Sequence, residues 1–507
     1  MPVSPRSGVG IDLGLWLIAD GSLLIAPRPP LFTASSKPGP YAWAVRVWQP
    51  LFLGVALALC LPPTPLGFLA PLPLIWLLQR GGFRYGLWTG IGFWAVHLLW
   101  LPQSFIVLFH TPLGAVPYLP LVIIKALMWA VVFGLSAGMP LVRVGLWVVL
   151  EYLTSLGDVA FPWGFLGYAL VDAPGRMVAS VGGIYLLSLL VLLTAYFIGV
   201  YWRELYANPA IFSPAGTGVF VSVLVWVGLW IIPLPQAPAD TQALLVQGNI
   251  NPLNRNWDEA PPVYLSLTRQ GLAQNPQARV VVWPESAVLS FPPELTPILG
   301  GRELISGTFI DDFNSAVRWQ NGSRLESYAK HRLVPFGENF PFQNQVPGLY
   351  RFFFRSFGFD GDLRSQQPGT GNVVLGRFGT YICYESVFPS VSRGMVRSGA
   401  EVLTLVSNDA WYGPSFGGMQ HFQMGRIRAV ETGRWMLRAG NDGVTAIVDP
   451  YGRVTARIPQ HQAGSLAGSF AFLQGQTLYV RFGDWAVGLA GGLMLLGLLW
   501  RRKPRIV

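Results

Sequence analysis

The sequence predicts a helical membrane domain of about seven spans, then an α/β domain exposed to water, and finally one more span. Two features of composition indicate this fold class. Of the 507 residues, 52% are hydrophobic and only 12% are charged, whereas soluble domains carry about 25% charged residues. The deficit is also uneven, because residues 47–232 carry few charges while residues 240–480 have the mixed composition of a soluble domain.

Eight apolar segments are candidates for the spans. Seven precede residue 240 and one closes the chain, and several reach the roughly 20 residues that cross about 30 Å of hydrocarbon. The segments are 47–62, 64–79, 85–101, 115–140, 144–157, 177–202, 213–232 and 485–500. The first two are short and meet at Pro62-Pro63-Thr64-Pro65, so they could form one helical hairpin. We therefore expect a membrane domain over residues 46–235 and a C-terminal transmembrane helix over 485–500.

Positive charge in short loops predicts the orientation of the spans, because Lys and Arg accumulate on the cytoplasmic side. The tail 501–507 is basic, so we expect it in the cytoplasm and the α/β domain on the extracytoplasmic side. The loops agree with this orientation. The loop 102–114, expected outside, has no Lys or Arg, and the positive charges expected inside are Arg80, Arg84, Arg143 and Arg203.

Two features of the membrane part are less regular. Residues 1–45 contain an apolar stretch interrupted by Asp12 and Asp20. A central Asp costs about 2.5–3.5 kcal/mol on insertion, so we expect a peripheral N-terminal extension rather than a span. Lys125 lies inside the fourth segment, and an ionisable residue at membrane depth is a functional candidate. The alternative is that Lys125 reaches the interface with its long stem or pairs with Glu151.

Residues 240–480 are predicted to form a layered α/β domain. The Pro-rich linker 233–239 separates this domain from the span before it. Short β-rich runs then alternate with helical stretches such as 419–432, which is typical of sheets covered by helices. The β-rich runs are 243–247, 279–283, 304–309, 379–383, 401–406 and 444–448.

Cys383 is one of only two cysteines, the other being Cys60 in an apolar segment. Cys383 ends a β-rich run close to the carboxylate of Glu385, which makes it a candidate nucleophile. Taken alone, a free cysteine is more often a small buried hydrophobe. The motifs elsewhere in the domain therefore decide between the two interpretations.

Two further motifs supply groups that would activate a thiol. Glu285 directly follows Pro284, which cannot continue a central strand, so its carboxylate is expected at the carboxyl end of a strand, where α/β active sites form. Lys330 and Glu338 lie eight residues apart in a predicted loop. Each motif alone also fits a solvated surface. Together they offer a thiol, a base for its proton and a cation for the charge of a tetrahedral intermediate.

These motifs resemble the catalytic unit of the nitrilase superfamily, which is Glu-Lys-Cys in chain order on an αββα sandwich. Here the matching residues are Glu285, Lys330 and Cys383. With seven spans before the domain and one after it, the chain is similar to the apolipoprotein N-acyltransferase family, although the extension 1–45 departs from the family pattern. Local matches include Glu151-Tyr152-Leu153, Phe161-Pro162-Trp163-Gly164-Phe165, Val246-Gln247-Gly248-Asn249-Ile250, Ser407-Asn408-Asp409-Ala410-Trp411-Tyr412-Gly413 and Gln420-His421-Phe422-Gln423-Met424.

The resemblance implies a two-step acyl transfer at the cytoplasmic (inner) membrane of a bacterium. Cys383 would take the sn-1 acyl chain of a phospholipid as a thioester. It would then pass this chain to the free N-terminal amine of a diacylglyceryl-cysteine lipoprotein. Glu285 would act as general base, and Lys330 with the backbone N–H of Tyr384 would hold the oxyanion.

The resemblance also implies supporting residues. Glu338 would orient Lys330, and Glu385 would support the site from behind, as would Trp257. No cofactor and no metal ion is implied, and the protein is expected to act as a monomer.

Two segments are candidates for guiding lipid to the site. Residues 340–359 are rich in Phe, including Phe353 and Phe357, and interfacial aromatic residues suit the headgroup level. The alternative is that this segment is part of an internal core. Trp411, Tyr412 and Gly413 are candidates for a mobile lid.

Other classes of function fit less well. A membrane-anchored amidase would use the same triad with water as second nucleophile, but one span would be enough to anchor it. A transporter or receptor with an outer binding domain would need more ionisable residues in its spans than Lys125 and Glu151. The net charge of +10 is dispersed, which disfavours nucleic-acid binding, and the five His residues lack the spacing of metal ligands.

Overall fold

The computed structural model describes residues 42–109, 111–207, 213–231, 233–251, 260–356 and 365–501. Most of the expected extension 1–45, two expected site residues (Trp257 and Phe357) and residues 502–507 of the basic tail lie outside the described residues. The chain divides into two compact units, Met1–Val45 and Arg46–Val507. The elements below belong to the second unit, apart from the first residues of α1.

Each apolar segment expected to span the membrane contains an α-helix. One helix, α15 (Trp485–Arg501), covers the segment at the end of the chain. The helices of the first half are α1 (Ala42–Ala58), α2 (Pro71–Gln79), α3 (Phe83–His97), α4 (Leu101–Phe109), α5 (Tyr118–Leu135), α6 (Pro140–Leu153), α7 (Ala179–Ala207) and α8 (Pro214–Ile231).

The prediction that residues 102–114 form a loop was wrong for the first half of this segment, because α4 covers residues 101–109. Pro102 is the second residue of this helix. Proline is tolerated in the first turn of a helix, since the N–H groups there have no partner within the helix. A 3-10 turn at Pro112–Ala115 follows α4.

Several helices are long and apolar enough to cross a membrane. Among the described residues, three stretches meet this condition alone: Pro112–Leu135, Pro174–Tyr206 and Pro214–Ile231. A fourth would be α3 together with α4, which are bent by 56°. The stretches Gly67–Gln79 and Trp485–Trp500 are apolar but shorter. The count of seven plus one spans and the domain boundaries therefore stay predictions.

Glycines let α3 pack closely against α1 and α5. A Cβ added at Gly54 of α1 would come within 2.1 Å of the carbonyl oxygen of Thr89 in α3. A Cβ added at Gly90 of α3 would lie 2.7 Å from the Cα of Ala126 in α5. Helices in lipid associate by such close backbone packing, because burial of apolar surface gives them little advantage there.

Arg143 is not an exposed loop charge, as the expected orientation assumed, but a buried residue of α6. Its Nη1 donates to the carbonyl oxygens of Leu77 at 2.9 Å and Leu78 at 3.0 Å, near the end of α2. Its Nε donates to Ser136 Oγ at 3.0 Å. The last carbonyls of a helix have no partner within the helix, so Arg143 caps the C-terminus of α2.

The α/β domain consists of two sheets packed face to face. The six-stranded sheet has the order β11-β1-β2-β3-β4-β5, and the five-stranded sheet has the order β10-β9-β8-β7-β6. The strands are β1 (Thr241–Gln247), β2 (Val280–Val282), β3 (Glu303–Ile310), β4 (Phe313–Gln320), β5 (Ser323–Ala329), β6 (Phe378–Ile382), β7 (Val402–Ser407), β8 (Met436–Gly440), β9 (Thr445–Val448), β10 (Val454–Ile458) and β11 (Gly464–Phe470).

Helices cover the outer faces of both sheets. On the six-stranded sheet these are α9 (Ala260–Gln274) and α10 (Leu295–Leu299), and on the five-stranded sheet they are α12 (Pro389–Arg397) and α13 (Gly417–Thr432). Two more helices, α11 (Pro347–Ser356) and α14 (Leu478–Phe482), lie in connecting segments. The domain is therefore an αββα sandwich, which confirms the nitrilase-like α/β fold.

All six β-rich runs are strands, namely β1, β2, β3, β6, β7 and β9, and the expected helix 419–432 is α13. The sequence did not reveal β4, β5, β8, β10 and β11. Three of these, β5, β10 and β11, lie at sheet edges and are largely half-buried or exposed. An edge strand needs no continuous apolar run, because part of it faces water.

The α/β domain shares one apolar core with the helices of the first half. Helix α7 is kinked at Gly182 and Gly183, whose backbone angles are not helical. Beyond the kink, the N–H of Ile184 donates to Glu431 Oε1 of α13 at 2.8 Å. A broken helix is tolerated where other groups satisfy the freed backbone. The kink in α7 is thus coupled to the docking of α13.

Candidate active site

Cys383 lies at a sharp turn between a strand and a helical turn. Strand β6 ends at Ile382, and Cys383 begins the 3-10 turn Cys383–Val387, which we call the nucleophile turn. The φ angle of Cys383 is +49°. Such a left-handed value costs a residue with a Cβ about 1–3 kcal/mol and persists only where the surroundings enforce it. Strained turns of this kind hold nucleophiles in other α/β enzymes.

Glu285 follows β2 and is held by two asparagines. Its Oε1 accepts from Asn314 Nδ2 at 2.8 Å and lies 3.5 Å from Lys330 Nζ. Its Oε2 accepts from the backbone N–H of Asn408 at 2.8 Å. Burial raises the pKa of the Glu285 carboxyl above its usual value, although Lys330 opposes this. A raised pKa makes the carboxylate a stronger general base near neutral pH.

Lys330 directly follows β5 and lies between two carboxylates. Its Nζ is 2.6 Å from Glu338 Oε1 and 3.5 Å from Glu285 Oε1. Burial alone would lower the pKa of the Lys330 amine, but Glu338 and Glu285 outweigh burial and raise it. The side chain therefore keeps its positive charge. The other oxygen of Glu338 accepts from the N–H of Val334 at 2.9 Å, which fixes the carboxylate beside the lysine.

The thiol of Cys383 is neutral in this environment. Burial raises its pKa well above the usual value, and the charge of Glu285 raises it further, whereas Lys330 lowers it. A neutral thiol is a poor nucleophile. The attack therefore needs a base, and Glu285 is a nearby carboxylate whose pKa suits that task.

Glu385 is a fully buried residue of the nucleophile turn and joins it to the residues after β5. Its Oε1 accepts from the hydroxyl of Tyr328 at 2.7 Å and from the N–H of His331 at 2.9 Å. Its Oε2 accepts from the N–H of Ile382 at 2.8 Å. Burial would raise the pKa of Glu385, but His331 and the hydrogen bonds lower it overall, so the carboxylate stays charged.

Tyr384 connects the nucleophile turn with the helical part of the chain. Its hydroxyl donates to the carbonyl oxygen of Ala160 at 2.8 Å. Ala160 begins the segment 160–166 after α6, which we call the linking loop. In the same loop, Trp163 Nε1 donates to Gln420 Oε1 of α13 at 2.7 Å. The α/β domain therefore holds the linking loop at two positions.

Lys125 and Glu151 hold the same loop from the helices. Lys125 Nζ donates to the carbonyl oxygen of Phe161 at 2.8 Å and lies 5.2 Å from the ring centroid of Trp94. Glu151 Oε1 accepts from the N–H of Leu166 at 2.8 Å. Of the two interpretations of Lys125, the alternative that it reaches the interface or pairs with Glu151 does not describe the contact seen here. Both buried side chains instead bind backbone groups of the linking loop: Glu151 accepts from the N–H of Leu166, and Lys125 donates to a carbonyl oxygen that also accepts from the N–H of Trp163 at 2.9 Å.

The residues expected to form a lid are Trp411, Tyr412 and Gly413, which lie in or just after the 3-10 turn Asp409–Tyr412. Trp411 is 39% exposed. The ring centroid of Tyr412, in contrast, lies 5.0 Å from that of Trp100 and 5.7 Å from that of His421. Tyr412 is thus packed between two other rings, and the lid role of this segment stays a prediction.

The Phe-rich segment contains α11, which includes Phe353, although the side chain of Phe353 lies outside the described part of the structure. Two apolar residues of α11, Leu349 and Phe352, are 64% and 71% exposed. They do not belong to an internal core. A role of this segment at the level of the lipid headgroups stays a prediction.

The structure adds four residues to the site to which the sequence analysis had assigned no role. These residues are Asn314, Asn408, Asp409 and His421. Asn408 and Asp409 directly follow β7, as Glu285 follows β2, so their position at a strand end was an available signal. Asn314 lies on the antiparallel strand β4, where no local pattern marks it. Its role depends on the sheet pairing that brings it to Glu285.

Cys383, Asp409 and His421 form a group whose ligand atoms lie within 4.8 Å of one another, an arrangement that could hold a metal ion. Chain spacing could not reveal this group. Asp409 already accepts from Arg438 Nη2 at 2.5 Å and lies 2.9 Å from His421 Nδ1. Because these partners balance the charge of Asp409, hydrogen bonds account for the arrangement without a cation.

Known families match both parts of the chain. The model of the apolipoprotein N-acyltransferase N-terminal domain matches residues 53–197, and that of carbon-nitrogen hydrolases matches residues 296–469. An apolipoprotein N-acyltransferase of Pseudomonas aeruginosa (strain LESB58) is 33% identical over 390 residues, which cover 70% of this chain and 73% of that protein. The chain belongs to the apolipoprotein N-acyltransferase family.

Further relatives extend the match along the chain. An apolipoprotein N-acyltransferase of Azotobacter vinelandii is 34% identical over 394 residues, covering 71% of this chain and 73% of the relative. One of Shewanella oneidensis is 29% identical over 520 residues, covering 91% and 97%. Among solved structures, a mutant nitrilase-superfamily amidase of Nesterenkonia AN1 aligns with a TM-score of 0.36 and 17% identity, covering 50% of this chain and 98% of the amidase.

Proposed function

We propose that this chain transfers the sn-1 acyl chain of a phospholipid to the free N-terminal amine of diacylglyceryl-cysteine lipoproteins. One structural observation supports this proposal independently of the family to which the chain belongs. The buried group of Cys383, Glu285 and Lys330 is attached, through Tyr384 and the linking loop, to helices that could span a membrane. A hydrolase of soluble substrates does not need that attachment, whereas an enzyme that draws its acyl chain from lipid does.

In the first step, Cys383 Sγ attacks the ester carbonyl while Glu285 takes the thiol proton. Lys330 and the backbone N–H of Tyr384 stabilise the negative charge on the carbonyl oxygen. The ester C–O bond then breaks, and Glu285 returns the proton to the leaving alkoxide. A lysophospholipid leaves, and the acyl chain stays on Cys383 as a thioester.

In the second step, the lipoprotein amine attacks the thioester carbonyl. Glu285 takes a proton from the amine and returns it to the sulfur as the C–S bond breaks. An amide forms on the lipoprotein, and the free thiol of Cys383 is restored. Two half-reactions that share one enzyme intermediate give ping-pong kinetics.

The phospholipid and the lipoprotein are the two partners, and we infer that the enzyme works as a monomer in a bacterial cytoplasmic membrane. We place the α/β domain outside the cytoplasm, supported by the basic tail and by Arg80 and Arg84 near the connection between α2 and α3; the buried Arg143 does not contribute to this argument. A cysteine at the exposed position Ser323, in a Cys60→Ala background, tests this in whole cells. A membrane-impermeant maleimide should label it; labelling only after lysis would contradict the orientation.

The central experiment weighs the intact protein after incubation with phospholipid and no lipoprotein. An adduct of one acyl chain is expected on the wild type and on the Cys60→Ala variant, because Cys60 lies among the helices. The Cys383→Ala variant should carry no adduct and release no lysophospholipid. An adduct on Cys383→Ala would contradict the proposal.

A membrane-anchored amidase is not favoured by the family. The same preparation tests it, since addition of a diacylglyceryl-cysteine peptide should convert the adduct into N-acylated peptide. If the adduct instead decayed to free fatty acid at the same rate with and without peptide, the second nucleophile would be water.

A further inference from the structure

A buried Asp–His pair lies against the nucleophile turn. His421 Nδ1 is 2.9 Å from Asp409 Oδ1. Asp409 is itself held, because it accepts from Ser407 Oγ at 2.6 Å and from Arg438 Nη2 at 2.5 Å. The side chains of Asp409, His421 and Arg438 are fully buried. The orientation of the imidazole ring is therefore fixed.

The other edge of the ring meets the nucleophile turn. His421 Nε2 lies 3.0 Å from the carbonyl oxygen of Cys383 and 2.8 Å from Ser386 Oγ. The carbonyl oxygen of Cys383 and the carboxylate of Asp409 both only accept, so the ring donates its Nε2–H to the carbonyl and its Nδ1–H to the carboxylate. Trp163 stacks near the ring, with centroids 6.3 Å apart and an interplanar angle of 17°. The imidazole thus binds the first residue of the turn directly.

The carbonyl that His421 holds belongs to the peptide group between Cys383 and Tyr384. A peptide group is planar and trans, so its C=O and N–H point to opposite sides. Holding the carbonyl toward His421 therefore directs the N–H of Tyr384 the other way. That N–H is the oxyanion donor of the proposed function. The left-handed φ of Cys383, +49°, is unfavourable for a residue with a Cβ, so contacts around the turn are needed to keep this conformation.

We propose that His421, oriented by Asp409, is a positioning residue that fixes the direction of the Tyr384 N–H and so builds the oxyanion site beside Cys383. Glu385 holds the peptide group between Tyr381 and Ile382, which ends one residue before Cys383, through the N–H of Ile382. The two buried side chains together fix the backbone on both sides of the nucleophile. This inference rests on the proposed acyl transfer, because only a tetrahedral intermediate requires the donor.

The test uses the full-length protein in detergent and compares two reactions of Cys383. Acylation by phospholipid needs the oxyanion donor, whereas alkylation of the thiol by iodoacetamide does not. His421→Leu should slow single-turnover acylation about 100-fold, the usual effect of losing one oxyanion donor, with the half-saturating phospholipid concentration unchanged. Alkylation should change less than about threefold. The conservative variant His421→Gln keeps a donor near the Nε2 position and should stay within about tenfold of the wild type.

His461→Leu is the matched control, because His461 also pairs with an aspartate, Asp442, at 2.9 Å but is half exposed and away from the nucleophile turn. It should acylate like the wild type. An acylation rate of His421→Leu equal to that of the wild type would overturn the proposal. An equal loss of acylation and alkylation would also overturn it, because it would mean that the turn has collapsed.

If His421→Leu does not fold, the variant His421→Gln decides. A loss of acylation of about 100-fold or more, with alkylation at the normal rate, would contradict the role of His421. No acyl adduct on the wild type would instead refute the proposed function.

Discussion

At the scale of single residues, burial and charge favour the proposed proton transfer from Cys383 to Glu285. Burial raises the pKa of both groups, and Lys330 moderates both shifts. Lys330 stays charged because Glu338 and Glu285 flank it. The thiol is thus neutral until substrate arrives, and a base of raised pKa is ready to take its proton. A cation remains available for the charge that develops on the substrate.

The pH dependence of acylation tests this description. Glu285 must be ionised to act as base, so activity is lost as the pH falls through its pKa, which is raised. The acid limb of the rate profile should therefore lie above the value of about 4.3 for an ordinary Glu. The measurement is single-turnover acylation from pH 4 to 9 (roughly the range over which Glu and Cys titrate). An acid limb at or below the ordinary value would contradict the role of Glu285.

Replacing Glu338 with Gln removes one of the two charges beside Lys330. A charge-assisted hydrogen bond contributes about 1.5–3 kcal/mol, so acylation should slow about 10- to 100-fold. The charge of Glu338 also raises the pKa of Glu285. The acid limb should therefore move to lower pH. The control is Glu326→Gln, at a half-exposed ion pair with Arg318, which should change neither the rate nor the profile.

At the scale of structural elements, the linking loop is the connection between chemistry and membrane helices. The α/β domain holds it through Tyr384 and Gln420. The helices hold it through Lys125 and Glu151. Movement of α5 or α6 would therefore reach the nucleophile turn through one short segment.

Lys125→Met tests this connection. It removes the charge-assisted hydrogen bond to the Phe161 carbonyl, which keeps the N–H of Trp163 as a partner at 2.9 Å; such a bond contributes about 1.5–3 kcal/mol. We expect a lower melting temperature in detergent and slower acylation, with Cys383 still open to alkylation. Arg84→Met is the control, since Arg84 is an exposed charge at the start of α3. Equal melting temperatures and rates for Lys125→Met and the wild type would show that the loop does not depend on Lys125.

At the scale of the whole molecule, α13 contacts both the α/β domain and the helices of the first half of the chain. It packs on the five-stranded sheet, supplies His421 to the nucleophile turn and supplies Glu431 to the kink of α7. Glu431 also pairs with Arg428 at 3.1 Å, and both side chains are fully buried. Burial raises the pKa of Glu431 to about 7 although Arg428 opposes this. The carboxylate that joins α13 to the kink of α7 is therefore also one partner of a buried ion pair within α13.

Glu431→Ala should weaken this docking strongly. It leaves the guanidinium of Arg428 buried without its carboxylate and the N–H of Ile184 without its acceptor. Breaking a buried ion pair costs about 3–5 kcal/mol, so we expect a marked fall in melting temperature. The control, Glu401→Ala, breaks a more exposed pair with Arg377, which contributes at most about 1 kcal/mol. Similar melting temperatures for the two variants would contradict the importance of this contact.

The sequence by itself determined the helices of the eight apolar segments, α13, six strands and the three motifs around Glu285, Lys330 and Cys383, because these depend on local composition and on residues that end strands. Only the tertiary structure decided which groups surround them. Asn314 and His421 reach the site across 29 residues to Glu285 and 38 residues to Cys383, and Lys125 reaches Phe161 from a different helix. Such contacts leave no periodic trace in the chain, since sheet pairing and helix packing bring the partners together only when the whole molecule folds.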